Sequence, residues 1–269
     1  MKELTTREVQ DIEFEILKYF DAFCKEHNIR YFLAFGTLLG AIRYKKFIPW
    51  DDDVDVVVPR EDYDRLLSIF QDSGQYQLFA PEKDQSYLFP FAKLCDMTTR
   101  KDEFGINNGV TLGIDIDIFP LDAWDNDPKK AKRETKRISR YIVSLGLCKM
   151  KRSGHKNPLK RLILNMLMIV SKLFGAQYFV KKLIKISNNP KQTGGSNVGA
   201  KVRNVYSEKG ITSAAFFADT VDVEFEGQMF PAPIGYDGLL THLYGDYMPE
   251  PPKEKQVTHH TFAAYRLEN

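Results

Sequence analysis

The chain has 269 residues, 43% of them hydrophobic and 28% charged, the balance of an ordinary globular protein and not of a fibrous, disordered or low-complexity one. Cys24, Cys95 and Cys148 are too scattered for a disulfide framework or a structural zinc site, and no apolar run reaches the roughly 18 residues of a spanning helix. A net charge of +2 hides a strong polarity: residues 129–191 hold eighteen Lys/Arg and one acid, Glu134, leaving twenty basic and thirty-five acidic residues elsewhere.

Residues 6–27 read as an amphipathic helix, with Val9, Ile12, Ile16, Leu17, Phe20 and Phe23 at the 3.6-residue period and Thr5 or Thr6 as N-cap. This charged N-terminal segment does not read as a signal peptide. "IRYFLAFG" (29–36) predicts a short strand ended by Gly36, with a short helix from Thr37. Pro49 breaks the chain before an acidic cluster, after which "VDVVVP" (54–59) is a strand and 60–74 a helix stopped by Gly74. "YQLFAP", "FAKLCDMTT" and "GIDIDIFPLD" predict three more strands, the last with clear period-2 alternation. Residues 129–190 are helical, broken near Gly154–Pro158 and Gly175. The tail, 219–269, predicts a strand ("VDVEFEGQMF"), a helix ("YDGLLTHLYG") and a Pro-rich end. No βαβ repeat and no internal repeat is present.

The acidic cluster poses the chemical question. Asp51, Asp52, Asp53 and Asp55 fall within five positions, and on an extended strand Asp53 and Asp55 share a face about 7 Å apart while Val54 and Val56 enter the core. Carboxylates held so close to an apolar core call for a compensating arginine, lysine or divalent metal. Oxygen-only ligands favour Mg²⁺, Mn²⁺ or Ca²⁺ over zinc. "GIDIDIFP" repeats the device, with Asp115 and Asp117 on one face and Ile114, Ile116 and Ile118 on the other. Paired side by side, the two strands bring together the carboxylates that metal-assisted phosphoryl transfer needs; the alternative is a solvated acidic surface on two half-exposed strands. Gly36–Thr37, at a helix start, offers backbone N–H groups to an anion, with Arg43 and Lys45 close behind.

"IRYFLAFGTLLGAIRYKKFIPWDDDVDVVVPREDYDRLL" resembles the signature of the LicD family, and the likeness continues in "FAKLCDMTT", "IDIFPLD", "FEGQMFPAP" and "YGDYMPEPPKEKQVTHH". Members of that family transfer phosphocholine or related phospho-groups onto surface glycans, and fukutin-type ribitol-phosphate transferases are distant relatives. The resemblance implies an α+β fold with a nucleotidyltransferase (polymerase-β-like) core: a small mixed β-sheet flanked by helices, with a basic helical insertion. The implied layout is a catalytic core over 1–128, a basic helical subdomain over 129–191 and a segment 192–269 completing the catalytic domain. The implied activity is metal-dependent transfer of phosphocholine, or a related phospho-alcohol, from a CDP-linked donor to a hydroxyl of a cell-surface glycan, lipopolysaccharide or teichoic-acid precursor, with release of CMP. Two alternatives remain: a nucleotidyltransferase that attaches NMP to an alcohol or aminoglycoside and releases pyrophosphate, and a non-catalytic glycan- or Ca²⁺-binding protein, although the acidic loop lacks EF-hand spacing.

By the same resemblance Asp53, Asp55 and Asp117 are the expected metal ligands for Mg²⁺ (or Mn²⁺), with Asp117 also orienting or deprotonating the acceptor and Gly36–Thr37 forming the phosphate turn. Arg43 and Lys93 are candidates for phosphate contact or for ordinary salt bridges. Choline's trimethylammonium calls for aromatic faces; Trp50, Tyr87 and Trp124 serve either that role or core packing. His259 and His260, adjacent on an extended segment, face opposite ways and do not share a metal. Tyr244, Gly245 and Asp246 match the family pattern without a physical reason. In the basic arm, Leu159, Leu162, Ile163, Met166, Val170 and Leu173 form one stripe, with Lys160, Arg161 and Lys172 off it. Two readings follow: a lid packing on the catalytic core, or peripheral attachment to an anionic leaflet. No nucleic acid is expected, for no RRM, KH or helix-turn-helix pattern is present. The expected location is the cytoplasm, on the inner face of the membrane in the second reading.

Overall fold

A computed structural model describes residues 2–151, 156–189, 195–203, 206–257 and 262–267. Strand β1 (Lys2–Glu3) precedes helix α1 (Thr6–Glu26). Thr5 caps α1: its hydroxyl accepts the Glu8 N–H while the Glu8 carboxylate accepts the Thr5 N–H, so two orphan donors are satisfied reciprocally. Strand β2 (Phe32–Leu33) leads into α2 (Phe35–Tyr44), which begins two residues before Thr37, where the sequence placed its start. The chain turns at Phe35, which takes a left-handed φ of +47°, so Gly36 and Thr37 lie inside the first helical turn.

Strand β3 (Asp55–Pro59), helix α3 (Arg60–Ile69), and strands β4 (Tyr76–Phe79), β5 (Ala92–Glu103) and β6 (Leu112–Ala123) follow. Helix α3 is shorter than the expected 60–74, because Phe70 is extended and buried in the core. Then come α4 (Pro128–Lys149), α5 (Pro158–Phe174) and α6 (Ala176–Ser187). Asp127 and Asn157 cap the first two ahead of a proline whose missing N–H costs nothing there. The chain closes with β7 (Asn197–Gly199), β8 (Thr212–Ser213), β9 (Thr220–Phe225), β10 (Gln228–Pro233), α7 (Tyr236–Tyr244) and β11 (Phe262–Arg266). The stretch read as one strand over 221–230 is in fact the hairpin β9–β10. Glu226 and Gly227 take φ of 50° and 78°, the left-handed pair that a two-residue hairpin turn of type I′ requires.

Among the described residues nine strands form one mixed sheet in the order β1–β11–β5–β6–β3–β2, with β4 beside β5 and β7–β8 beside the end of β6. It is larger than the small sheet expected, and its parallel pair is β3 with β6. Strand alternation sorts the side chains by face. Val54, Val56, Val58, Ile114, Ile116 and Ile118 join the main core beneath Ile12, Ile16 and Leu17 of α1. On the opposite face Val57, Phe119 and Leu121 pack with Phe32.

The basic arm has its own core, in which Trp124 packs with Ile138 and Leu145 of α4 and with Phe179, Val180 and Leu183 of α6. Helix α5 does not act as the packed lid. Its stripe lies outside, with Leu162 58%, Met166 60% and Leu173 81% exposed, because α4 and α6 already supply the apolar face and α5 buries only Met168 and Ser171. Among the described residues no single helix is long and apolar enough to cross a membrane.

Candidate active site

Strands β3 and β6 pair so that Asp55 stands directly beside Asp117, while β5 sets Lys93 opposite Asp117 and Cys95 opposite Asp115. The two acidic strands are therefore neighbours. Their carboxylates lie on the face away from α1, since the intervening valines and isoleucines occupy the other. Asp53, just ahead of β3, lines a cleft of about 360 Å³ together with Lys93, Lys101, Asp115, Asp117 and the rings of Phe89, Phe104 and Phe262. The tip joining β5 to β6 forms one wall. It is tied to the end of α4 by the Asn107 N–H on the Lys149 carbonyl (2.9 Å) and the Lys151 N–H on the Gly105 carbonyl (3.1 Å).

Two buried cations divide the carboxylates into different electrostatic kinds. Lys93 Nζ donates to Asp115 Oδ1 at 2.7 Å and also to Asp117, and Lys101 Nζ donates to Asp115 Oδ2 at 3.2 Å. Burial alone would neutralise Lys93, but Asp115 and Asp117 hold its pKa well above the ordinary lysine value. Burial also opposes ionisation of Asp115, yet Lys101 and Lys93 outweigh it and hold the carboxyl at about 2. At Asp117 burial wins over Lys93, and the neighbouring Asp115 adds to it, so the pKa is raised. Asp115 is a fixed counter-ion at 2% exposure; Asp117, at 19%, is the more open and more readily protonated of the two.

Asp55 is clamped from both ends. Its N–H donates to Thr37 Oγ1 at 2.8 Å, and its Oδ2 accepts from Arg203 Nη2 at 2.9 Å. Burial pushes its pKa well up, Arg203 pulls it back, and Asp53 and Asp117 push it up again. The Arg203 guanidinium lies 3.9 Å from the centroid of Phe35, whose ring stacks on Tyr206 at 5.7 Å. The Tyr206 hydroxyl in turn pairs with that of Tyr244 at 2.7 Å. Tyr244 thus supports the arginine that holds Asp55, and the same packing holds Phe35 in a left-handed conformation that costs a non-glycine residue about 1 kcal/mol or more. A Cβ on Gly36 would lie 2.6 Å from Asp51 Oδ2, so a side chain there would push the Asp51 carboxylate aside.

The other expected site residues lie apart from the cleft lining. Arg43, in the last turn of α2, has a buried Nε without a partner among the described residues and a guanidinium 5.6 Å from the Tyr44 ring. Trp50 is half-buried with its ring 6.5 Å from Tyr44. Tyr87 is wholly buried between Phe79 and Phe89, and Trp124 is a core residue whose ring carries Lys201 Nζ at 4.9 Å. The aromatic rings on the cleft are Phe89, Phe104 and Phe262 instead. His259 and His260 lie outside the described residues.

Four charged groups escaped the sequence reading: Arg203, Lys101, Lys149 and Glu13. Lys149 ends α4 over the Phe89 ring, and burial, with Lys93 adding to it, lowers its pKa to about 8. Glu13 had a signal, for it sits four residues from both Val9 and Leu17, inside the apolar stripe of α1. Its side chain is fully buried and neither carboxyl oxygen has a partner among the described residues. Burial raises its pKa well above the usual range, against Lys101 and with Asp53, Asp115 and Asp52 adding to the rise. A carboxyl whose folded pKa exceeds its unfolded value contributes stability that is complete below about pH 4.3 and lost as pH climbs through the folded value. Glu13→Gln is therefore expected to flatten the decline of unfolding free energy between pH 5 and pH 8 in denaturant titrations, by about 1 kcal/mol or more; a decline of unchanged slope would remove Glu13 from the account.

Asp53, Asp55 and Asp117 present oxygen-only donors, the chemistry that suits Mg²⁺ or Mn²⁺. Asp55 and Asp117 ionise against burial and mutual repulsion, a charge imbalance that a divalent cation offsets. The donor set fits such an ion in kind. In place, Arg203 and Lys93 hold two of these carboxylates, and among the described residues no three Asp, Glu, His or Cys side chains are already gathered to hold a metal.

Comparison with known proteins adds an independent line. A family model described as "LicD/FKTN/FKRP, nucleotidyltransferase domain" matches residues 28–144, which include α2, β3, β5 and β6. The lipopolysaccharide cholinephosphotransferase LicD of Haemophilus influenzae is 34% identical over 279 aligned residues, covering 99% of this chain and 100% of that protein. An uncharacterized protein of Rickettsia typhi is 34% identical over 64 residues, 23% of this chain and 21% of its own.

Proposed function

The chain belongs to the LicD family and is a transferase of that type, and we propose that it moves phosphocholine from CDP-choline to a hydroxyl of lipopolysaccharide or a related cell-surface glycan, releasing CMP. The observation that carries the proposal is the register of Asp55 against Asp117, with Asp53 and the cations Lys93, Lys101 and Arg203 around the same strand ends. In this reading 1–128 and 192–269 form a nucleotidyltransferase-type catalytic unit, and 129–191 is an appended arm. The three free thiols suit a reducing compartment, where the reaction is placed.

In the proposed reaction the acceptor hydroxyl attacks the phosphorus that bears choline. The bond from that phosphorus to the bridging oxygen breaks, CMP leaves with the electron pair, and the hydroxyl proton passes to a base. Asp117 is that base: it is the more open of the two β6 carboxylates, and burial holds its pKa above the usual carboxylate value, the direction that favours taking up a proton. Lys93 keeps its carboxylate oriented. Arg203 and Lys101 offset negative charge on the diphosphate as it shifts to the leaving CMP. Asp53, Asp55 and Asp117 would hold Mg²⁺, which when bound polarises phosphoryl oxygens.

Phe104, 63% exposed on the cleft, is the ring assigned to the trimethylammonium. Phe104→Ala is expected to raise KM for CDP-choline about two- to fivefold with kcat little changed, the size of an exposed cation–π contact. The same KM for mutant and wild type would assign choline to another surface.

Donor identity is tested by thermal unfolding with CDP-choline, CDP-ethanolamine and CDP-ribitol, in Mg²⁺ and in EDTA. CDP-choline at about 100 Kd should raise stability by about 2.7 kcal/mol in Mg²⁺ and much less in EDTA. The donor assignment fails if none of the three shifts the transition.

A further inference from the structure

The feature that phosphocholine transfer does not use is α5. Along its 17 residues Leu159, Leu162, Ile163, Met166, Val170 and Leu173 are each half or more exposed, and every charged residue of the helix is basic. Lys160 and Arg161 stand near its start and Lys172 near its end. Helices α4 and α6 behind it bring Lys136, Arg137, Arg140, Lys181, Lys182 and Lys185.

We propose that α5 lies in the interface of an anionic phospholipid leaflet, its apolar side chains among the upper acyl chains and the lysines and arginines of the arm against the head groups. Three observations select this occupant. An exposed apolar helix ringed by cations has the composition of an interfacial helix. Its length, about 25 Å at 1.5 Å per residue, falls short of the hydrocarbon core, and α6 continues at a 76° bend with Phe179, Val180 and Leu183 committed to the arm's own core, so the pair lies on the bilayer and does not span it. A second copy of this chain docking α5 on α5 would oppose two arms that each carry eighteen basic residues and one acid, whereas an anionic leaflet complements them. The inference stands on the arm alone and does not depend on which group the cleft transfers.

The test is flotation of the full chain with vesicles of phosphatidylcholine alone or with about 30% phosphatidylglycerol, a surface that attracts basic residues. The comparison variant is Leu162→Glu with Val170→Glu, two exposed positions whose replacement should leave the melting temperature unchanged. Wild type should float with the anionic vesicles, lose most binding in high salt, and bind at least about tenfold more strongly than the variant. No binding to anionic vesicles, equal binding to both compositions, or a variant that floats as well as wild type would each overturn the proposal. Sedimentation velocity supplies the remaining arm: a wild-type oligomer that the variant dissolves, with no vesicle binding, would assign α5 to a second copy. Because the readout is binding and not turnover, failure here leaves the transfer reaction untouched.

Discussion

Asp55→Asn is expected to lower kcat for CMP release by about 10³-fold, the scale of removing one preorganised electrostatic group from a reaction centre. The protein should remain folded, and the reason is the balance of charges on this side chain. Asp55 ionises against burial and against Asp53 and Asp117, and Arg203 is the cation that supports its carboxylate, while the Thr37 hydroxyl holds only its backbone N–H. Asparagine keeps the shape and an acceptor for Arg203, loses the ion pair, and relieves the repulsion, so the opposing contributions leave a melting temperature within a few degrees of wild type. A variant that loses activity only because it unfolds would show a collapsed transition, and one that keeps wild-type turnover would take Asp55 out of the reaction.

The parts of this site that the sequence discloses are those written in a short-range period. Isoleucines at 114, 116 and 118 declare a strand whose other face must hold Asp115 and Asp117, and the valines around Asp55 do the same. What a single strand cannot disclose is its neighbour: the register of Asp55 on Asp117 arises from a parallel pairing 62 residues apart in sequence, and periodicity carries no information about that. Arg203 is hidden for the same reason, 148 residues from Asp55 in a segment without periodic pattern. Phe35 misplaced the start of α2, since glycine and not phenylalanine is the ordinary residue at positive φ. Glu226 hid a hairpin turn because Asn-Gly and Asp-Gly are its usual signals. The exposed face of α5 follows the same lesson, for a helical stripe shows that a helix has an apolar side but not what covers it.

Lys93→Met should have the largest effect on stability. Lys93 is 4% exposed and serves Asp115 and Asp117 together, so its loss leaves a buried and a partly buried carboxylate, with Lys101 as the remaining cation on Asp115. Removing one member of a buried ion network costs about 3–5 kcal/mol, far more than the packing of methionine restores. At about 2–4 °C per kcal/mol for a chain of this size, the melting temperature should fall by about 6–20 °C. The sign with pH is also determined. Without Lys93 the Asp117 pKa rises further, and a raised carboxyl loses its contribution as pH climbs, so the deficit should be smaller at pH 5 than at pH 8. Adding Asp117→Asn should recover part of the loss. A fall under about 1 kcal/mol would mean that water, and not Lys93, solvates these carboxylates.

The measurement closest to the central claim follows both products of one reaction. CDP-choline labelled in the choline is incubated with the purified chain and a lipopolysaccharide acceptor in Mg²⁺, and CMP and glycan-bound label are quantified together. Equal amounts of the two, both abolished by Asp55→Asn and by EDTA, are what the carboxylate centre predicts. Turnover that persists unchanged in the Asp55→Asn protein, or pyrophosphate formed from a nucleoside triphosphate with no choline transferred, would contradict it.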